Sequence, residues 1–206
     1  MTPRDIAHPR LVNQQIGYPK YETAGELVAL LGAMQAQDYL GALWAIGLRL
    51  PHSTQPEVEQ AIAERTIIRT WLLRGTLHFV AAADIHWMLE LVTPRILASN
   101  ARRQQQLELD RATISRSEKL LVGGLQGGKQ LTRDAMCALL EAAHISAAGQ
   151  RGYHILSHLA QRRLICFGPH QGKQPTFTLL DEWRAGDSGG SDAKQNRWAW
   201  VTCPHG

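Results

Sequence analysis

The chain has 206 residues, 44% hydrophobic and 19% charged, an ordinary globular composition that holds one domain or two small ones. Its longest apolar run, residues 40–48, falls far short of the roughly 20 residues a spanning helix requires, and residues 1–8 lack an apolar signal core; a cytoplasmic protein without a membrane partner is expected. Against 18 acidic residues stand 22 Lys and Arg, a net charge of +4 that suits a polyanion without requiring one, and Cys137, Cys166 and Cys203 have neither disulfide-framework nor zinc-site spacing.

In chain order, residues 4–16 predict a weakly periodic helix, ended at Gly17-Tyr18-Pro19. Thr23 and Glu26 have capping-box spacing, and Leu27, Leu30, Leu31 and Met34 follow on one helical face. Residues 43–48 read as a buried third helix stopped by Pro51, and Thr54 to Glu57 repeats the capping box before a fourth helix through Arg65. The period then changes. Residues 66–73 and 76–80, rich in β-branched and aromatic types, flank Arg74-Gly75 as a hairpin. Asp84 caps the next helix, with Pro94 expected to kink or restart it, and the polar residues 98–112 read as an exposed helical connector.

The order then repeats. A helix over 114–125 is broken by Gly127-Gly128, and Thr132 caps a helix over 133–143. A third helix covers 150–163, and a hairpin pairs 164–167 with 176–180 around a turn at 168–173. Short helices followed by a hairpin, twice, predict a mainly α fold with small β-hairpins, as tandem winged-helix (helix-turn-helix) modules over 1–97 and 113–183. Residues 184–206 read as a disordered or aberrant tail.

Two groups of residues are candidate sites. Gln35, Gln37 and Asp38 stand inside an apolar run, where unpaired polar groups are costly. In a continuing helix the two glutamines are about 200° apart, whereas in an extended segment they point the same way, so they address one site only if the helix ends near Met34. Amides orient water or hold a cation but are not strong bases, and on the residues alone a satisfied helix end explains them better. Arg74, Thr76 and His78 support such a site if their hairpin faces the glutamines; otherwise His78 is a structural histidine. The second group lies on the helix over 150–163, where Arg151, His154, His158 and Arg162 form a stripe that, with Lys173 of the following turn, either contacts DNA or is a solvated face. His154 and His158 lack the Glu of the zinc-protease motif, so no metal is expected.

Residues 32–45, Gly-Ala-Met-Gln-Ala-Gln-Asp-Tyr-Leu-Gly-Ala-Leu-Trp-Ala, and residues 70–80, Thr-Trp-Leu-Leu-Arg-Gly-Thr-Leu-His-Phe-Val, closely resemble the AlkZ/YcaQ-like winged-helix DNA glycosylases. The resemblance covers residues 1–183. It implies tandem winged-helix modules around double-stranded DNA, a monomer, and hydrolysis of the N-glycosidic bond of N7-alkylated or crosslinked purines without metal or cofactor. Gln35-Ala36-Gln37 matches the family's Gln-x-Gln catalytic motif, which assigns water positioning to Gln37 and assistance to Gln35; Asp38 lies outside it. Family members normally carry a third module, so a C-terminally truncated chain is expected, inactive if that module is needed. The alternative from another class is a non-catalytic DNA-binding protein or transcription regulator.

Overall fold

The computed structural model describes residues 3–185; the expected tail falls outside them from residue 186 on. After α1 (Pro3–Asn13), the first half runs α2 (Ala24–Leu31), β1 (Ala33–Gln35), α3 (Tyr39–Gly47), α4 (Gln55–Ala63), β2 (Ile67–Trp71) and β3 (Leu77–Ala81). Helix α5 (Ile85–Gln106) leads to the second half: α6 (Arg111–Leu125), β4 (Leu131–Thr132), α7 (Arg133–Ala142), α8 (Arg151–Gln161), β5 (Ile165–Gln171) and β6 (Gln174–Leu179), with α9 (Leu180–Ala185) after it.

The capping signals act as their spacing requires. Thr23 Oγ1 accepts from the Glu26 amide at 3.3 Å and donates to its carboxylate at 2.9 Å, and the Thr54 amide donates to Glu57 Oε2 at 2.6 Å. Thr132 Oγ1 likewise accepts from the Ala135 amide at the start of α7. Two expectations change. Helix α5 runs through Pro94 and absorbs most of the expected connector; the proline removes one amide, and Thr93 Oγ1, donating to Gln161 O at 2.8 Å, ties this turn to α8. Helix α3 buries Ala42, Leu43 and Ile46 but leaves Leu40, Trp44 and Leu48 exposed, so it is apolar on both faces and covered on one.

The expected small hairpins are not separate. They join into one six-stranded antiparallel sheet, ordered β1-β3-β2-β5-β6-β4, through the pairing of Arg69 with Phe167. The second hairpin is also longer than its sequence signal: its strands reach Gln171 and Gln174, and Gly172, at φ +62°, makes the tight turn with Lys173. Pro169 is accommodated at a register irregularity between Gly168 and His170.

The register sets up a row across all six strands: Met34, Phe79, Arg69, Phe167, Phe177 and Leu131. The row has an approximate two-fold relation about the Arg69–Phe167 pair, so Met34 corresponds to Leu131, Phe79 to Phe177 and Arg69 to Phe167. Directly opposed residues share a sheet face. Phe79 belongs to a core formed with α2, α3 and α4, while Phe167 and Phe177 belong to a second core with α6, α7 and α8. On the opposite face Ile68, Val80 and Cys166 pack with Ile85 and Leu89 of α5 and with Trp183. Burial pushes the Cys166 thiol far above its ordinary range, which leaves it an inert core group. Among the described residues no helix is long and apolar enough to cross a membrane.

Candidate functional site

The segment carrying the glutamines is built by a helix stop followed by a sheet edge. Helix α2 ends at Leu31, and Gly32, at φ +76°, turns the chain into β1. Alternation in β1 puts Met34 on the core face and Gln35 on the other, directly opposite His78. The Ala36 amide continues the ladder, donating to Leu77 O at 2.7 Å. The next acceptor is a side chain: Gln37 Oε1 takes the Leu77 amide at 3.3 Å. Asp38 then occupies the N-cap position of α3, separated in role from the two amides, and its Oδ2 lies 2.5 Å from where a Cβ at Gly41 would stand. A side chain at 41 would displace this exposed carboxylate.

Gln35 and Gln37 are exposed, and Ala36 between them is fully buried. That contrast is produced by Arg69, only 6% exposed, whose Nε and Nη2 both donate to the Ala36 carbonyl at 3.1 and 2.7 Å. The guanidinium lies over the rings of Tyr39 and Phe167, 5.2 and 5.0 Å from their centroids. Burial lowers its pKa, offset by Tyr39 and Asp38. Tyr39 stacks on His170 of the second hairpin at 3.8 Å, and its phenol is pushed up to about 12 by burial and then by Glu59. The sequence reading did not single out Arg69. Its signal was a lone cation in the β-branched and aromatic run 66–73, where a charge must either mark an exposed face or find a buried partner.

His78 is buried in the middle of the polar row Gln35–His78–Thr70. Its Nδ1 lies 3.0 Å from Thr76 O; a carbonyl only accepts, so Nδ1 carries the proton and Nε2 is left as the acceptor in the neutral ring. Burial lowers its pKa, opposed by the Thr76 bond and reinforced by Arg74. Arg74 is exposed at the tip of the first hairpin in the left-handed region, φ +56°, beside Gly75. Thr76 Oγ1 closes the same turn by donating to Leu73 O at 3.0 Å. The structure therefore brings Gln35, Gln37, Thr76 and His78 to one sheet edge, with Arg74 at the adjoining turn.

The stripe on α8 is elsewhere and has internal partners. Arg151 donates to Ser146 O at 2.9 Å and to Leu107 O, and Arg162 pairs with Glu118. His158 Nδ1 lies 2.8 Å from Gln104 Nε2, which fixes this nitrogen as the acceptor, and burial lowers its pKa. His154 is half-buried beside Arg103, and its pKa is lowered by burial and then by that charge. Lys173 is exposed on the second hairpin turn.

The family described as DNA glycosylase AlkZ-like matches residues 28–201, continuing past Trp183, where the sequence reading ends the resemblance. The chain is 28% identical over 167 residues to an interstrand DNA cross-link repair glycosylase of Streptomyces sahachiroi, over 76% of this chain and 43% of that protein. It shares the fold of the Streptomyces sahachiroi DNA glycosylase AlkZ, with a TM-score of 0.67 at 23% identity, over 92% of this chain and 52% of the other. The chain thus spans about half the length of these relatives. With most of its residues matched by that one family, the chain belongs to the AlkZ-like DNA glycosylases.

Proposed function

We propose that the chain binds double-stranded DNA through tandem winged-helix modules and hydrolyses the N-glycosidic bond of N7-alkylated or crosslinked purines. The observation that carries this reading is the pair of exposed amides, Gln35 and Gln37, on either side of an alanine whose amide and carbonyl are both bonded. An N7-alkylated purine is already cationic and leaves as a neutral base, so departure needs no strong acid. Positioning a water and stabilising positive charge on the sugar are the remaining tasks, and amide oxygens serve both.

In this reading Gln37, oriented by the Leu77 amide and retaining a second lone pair on Oε1, positions the water. Gln35 assists it, and neutral His78 borders the site. Each half follows the helix, strand, helix, helix, hairpin order of a winged helix, which supports modules over 1–97 and 113–183. Lys173, exposed on the second hairpin turn, is the cation assigned to the DNA backbone, and Arg74, exposed on the first, supports the glutamine site. Arg151, His154, His158 and Arg162 belong to the same proposed interface, Arg151, His158 and Arg162 mainly as supports, since their intramolecular bonds fix α8.

A duplex containing N7-methylguanine tests the reading. The chain is expected to release the base, and Gln37→Ala to slow release about 100-fold while duplex affinity is kept. Duplex binding without any release points instead to a non-catalytic DNA-binding protein. Unchanged release in both Gln35→Ala and Gln37→Ala overturns the site.

A further inference from the structure

The row across the sheet is apolar at every place except Arg69. Its two-fold counterpart, Phe167, is a ring that fills the core. Putting a guanidinium there costs desolvation, and among the described residues no salt bridge to a carboxylate offsets it. What it has is one carbonyl, that of Ala36, taken by two charge-assisted bonds.

The second half has no counterpart to Ala36. There Thr132 is both the last residue of β4 and the N-cap of α7, so strand passes directly into helix. In the first half Ala36 and Gln37 intervene between β1 and the N-cap Asp38. The buried cation and the inserted residues therefore occur together, in the same half.

Resting on the glycosylase reading, we infer that Arg69 is the positioning residue of the Gln35–Gln37 site, holding the Ala36 peptide from the core side while both glutamines project from the other. Arg69 touches neither substrate nor reacting atoms. The Ala36 amide is held by Leu77 O and its carbonyl by Arg69, so the peptide planes on both sides of Ala36 are set, and with them the directions in which Gln35 and Gln37 leave the chain. The second hairpin takes part in the construction: Phe167 backs the guanidinium, and His170 stacks on Tyr39, the other ring beside it.

The test compares the parent chain with Arg69→Met and Arg69→Lys in single-turnover release of N7-methylguanine, alongside hydrogen exchange of residues 35–38. In Arg69→Met the rate constant is expected to fall about 10- to 100-fold. The reacting fraction and the duplex affinity stay unchanged, exchange at 35–38 quickens, and exchange in α6 to α8 does not. Arg69→Lys, which keeps the charge but offers a single nitrogen, recovers part of the rate, and it carries the test alone if Arg69→Met does not fold. A smaller reacting fraction at an unchanged rate constant assigns Arg69 to folding only and overturns the inference. If the parent releases no base, the glycosylase reading fails by itself. Exchange then decides the matter for Arg69: faster exchange confined to 35–38 upholds the clamp, and unchanged exchange overturns it.

Discussion

The two halves of the sheet are built on one plan and differ where the candidate site lies. Place for place, Met34, Phe79 and Arg69 match Leu131, Phe177 and Phe167, and the adjoining polar row Gln35–His78–Thr70 matches Thr132–Thr176–Gly168. The second half uses small residues in that row. A Cβ on Gly168 would lie 2.7 Å from Thr176 Oγ1, so the row is closed by contact between strands. The first half places a larger polar side chain at each of those three places, inserts Ala36 and Gln37, and exchanges a ring for a cation beneath them. A scaffold of this kind gains a site by changing one strand-to-helix connection and the core position behind it.

The largest expected effect tests the shared plan. Phe79→Ala and Phe177→Ala each remove a buried ring, 0% and 2% exposed, and each should cost about 3–5 kcal/mol in denaturant unfolding. Because one sheet joins the halves, both variants should still unfold in a single transition. A second transition in either would show that the halves are independent and break the comparison.

A smaller effect sharpens the difference at the two strand-to-helix connections. Thr132→Ala loses a bond from the Ala135 amide and should lower stability by about 1 kcal/mol. Asp38 occupies the corresponding N-cap without a side-chain capping bond, so Asp38→Ala should cost less, about 0.5 kcal/mol, from the helix dipole and from the loss of its charge beside Arg69. Equal losses in thermal unfolding would mean that the inserted loop has not altered capping.

The smallest effect is a change of slope with pH. His78, His154, His158 and His170 all have pKa values lowered chiefly by burial. The unfolded chain therefore binds protons first as pH falls below about 6.5, so stability is full above that value and is lost as pH falls through the folded-state values. His78→Thr, which installs the residue of the second half, should flatten this loss without reversing it when melting is followed from pH 7.5 to 5. A slope unchanged by His78→Thr would exclude that ring from the acid response.

Much of this plan is legible in the sequence because its signals are local. Thr23, Thr54 and Thr132 announce helix starts by side-chain chemistry within one turn, and the β-branched and aromatic residues of 66–73 and 76–80 announce paired strands. The position of Gln35 and Gln37 could be stated only as a condition, a helix ending near Met34, since propensity does not say where Gly32 acts. Residues 131–132 and 180–185 carried too short a signal to be read as β4 and α9. The joining of the hairpins was not legible at all, because the pairing of Arg69 with Phe167 spans a long stretch of chain and depends on both cores. Arg69 was missed for the same reason: its partner, Ala36 O, is a main-chain atom that no side-chain pattern marks.

The ends of the sheet have a further consequence. Its edge strands, β1 and β4, are three and two residues long, while each longer strand is paired on both sides. A long open edge beside two exposed glutamines would template strand addition by another chain and promote aggregation. Here the exposed amides sit on an edge too short for that, so the molecule displays a polar main-chain segment to its surroundings while resisting self-association through it.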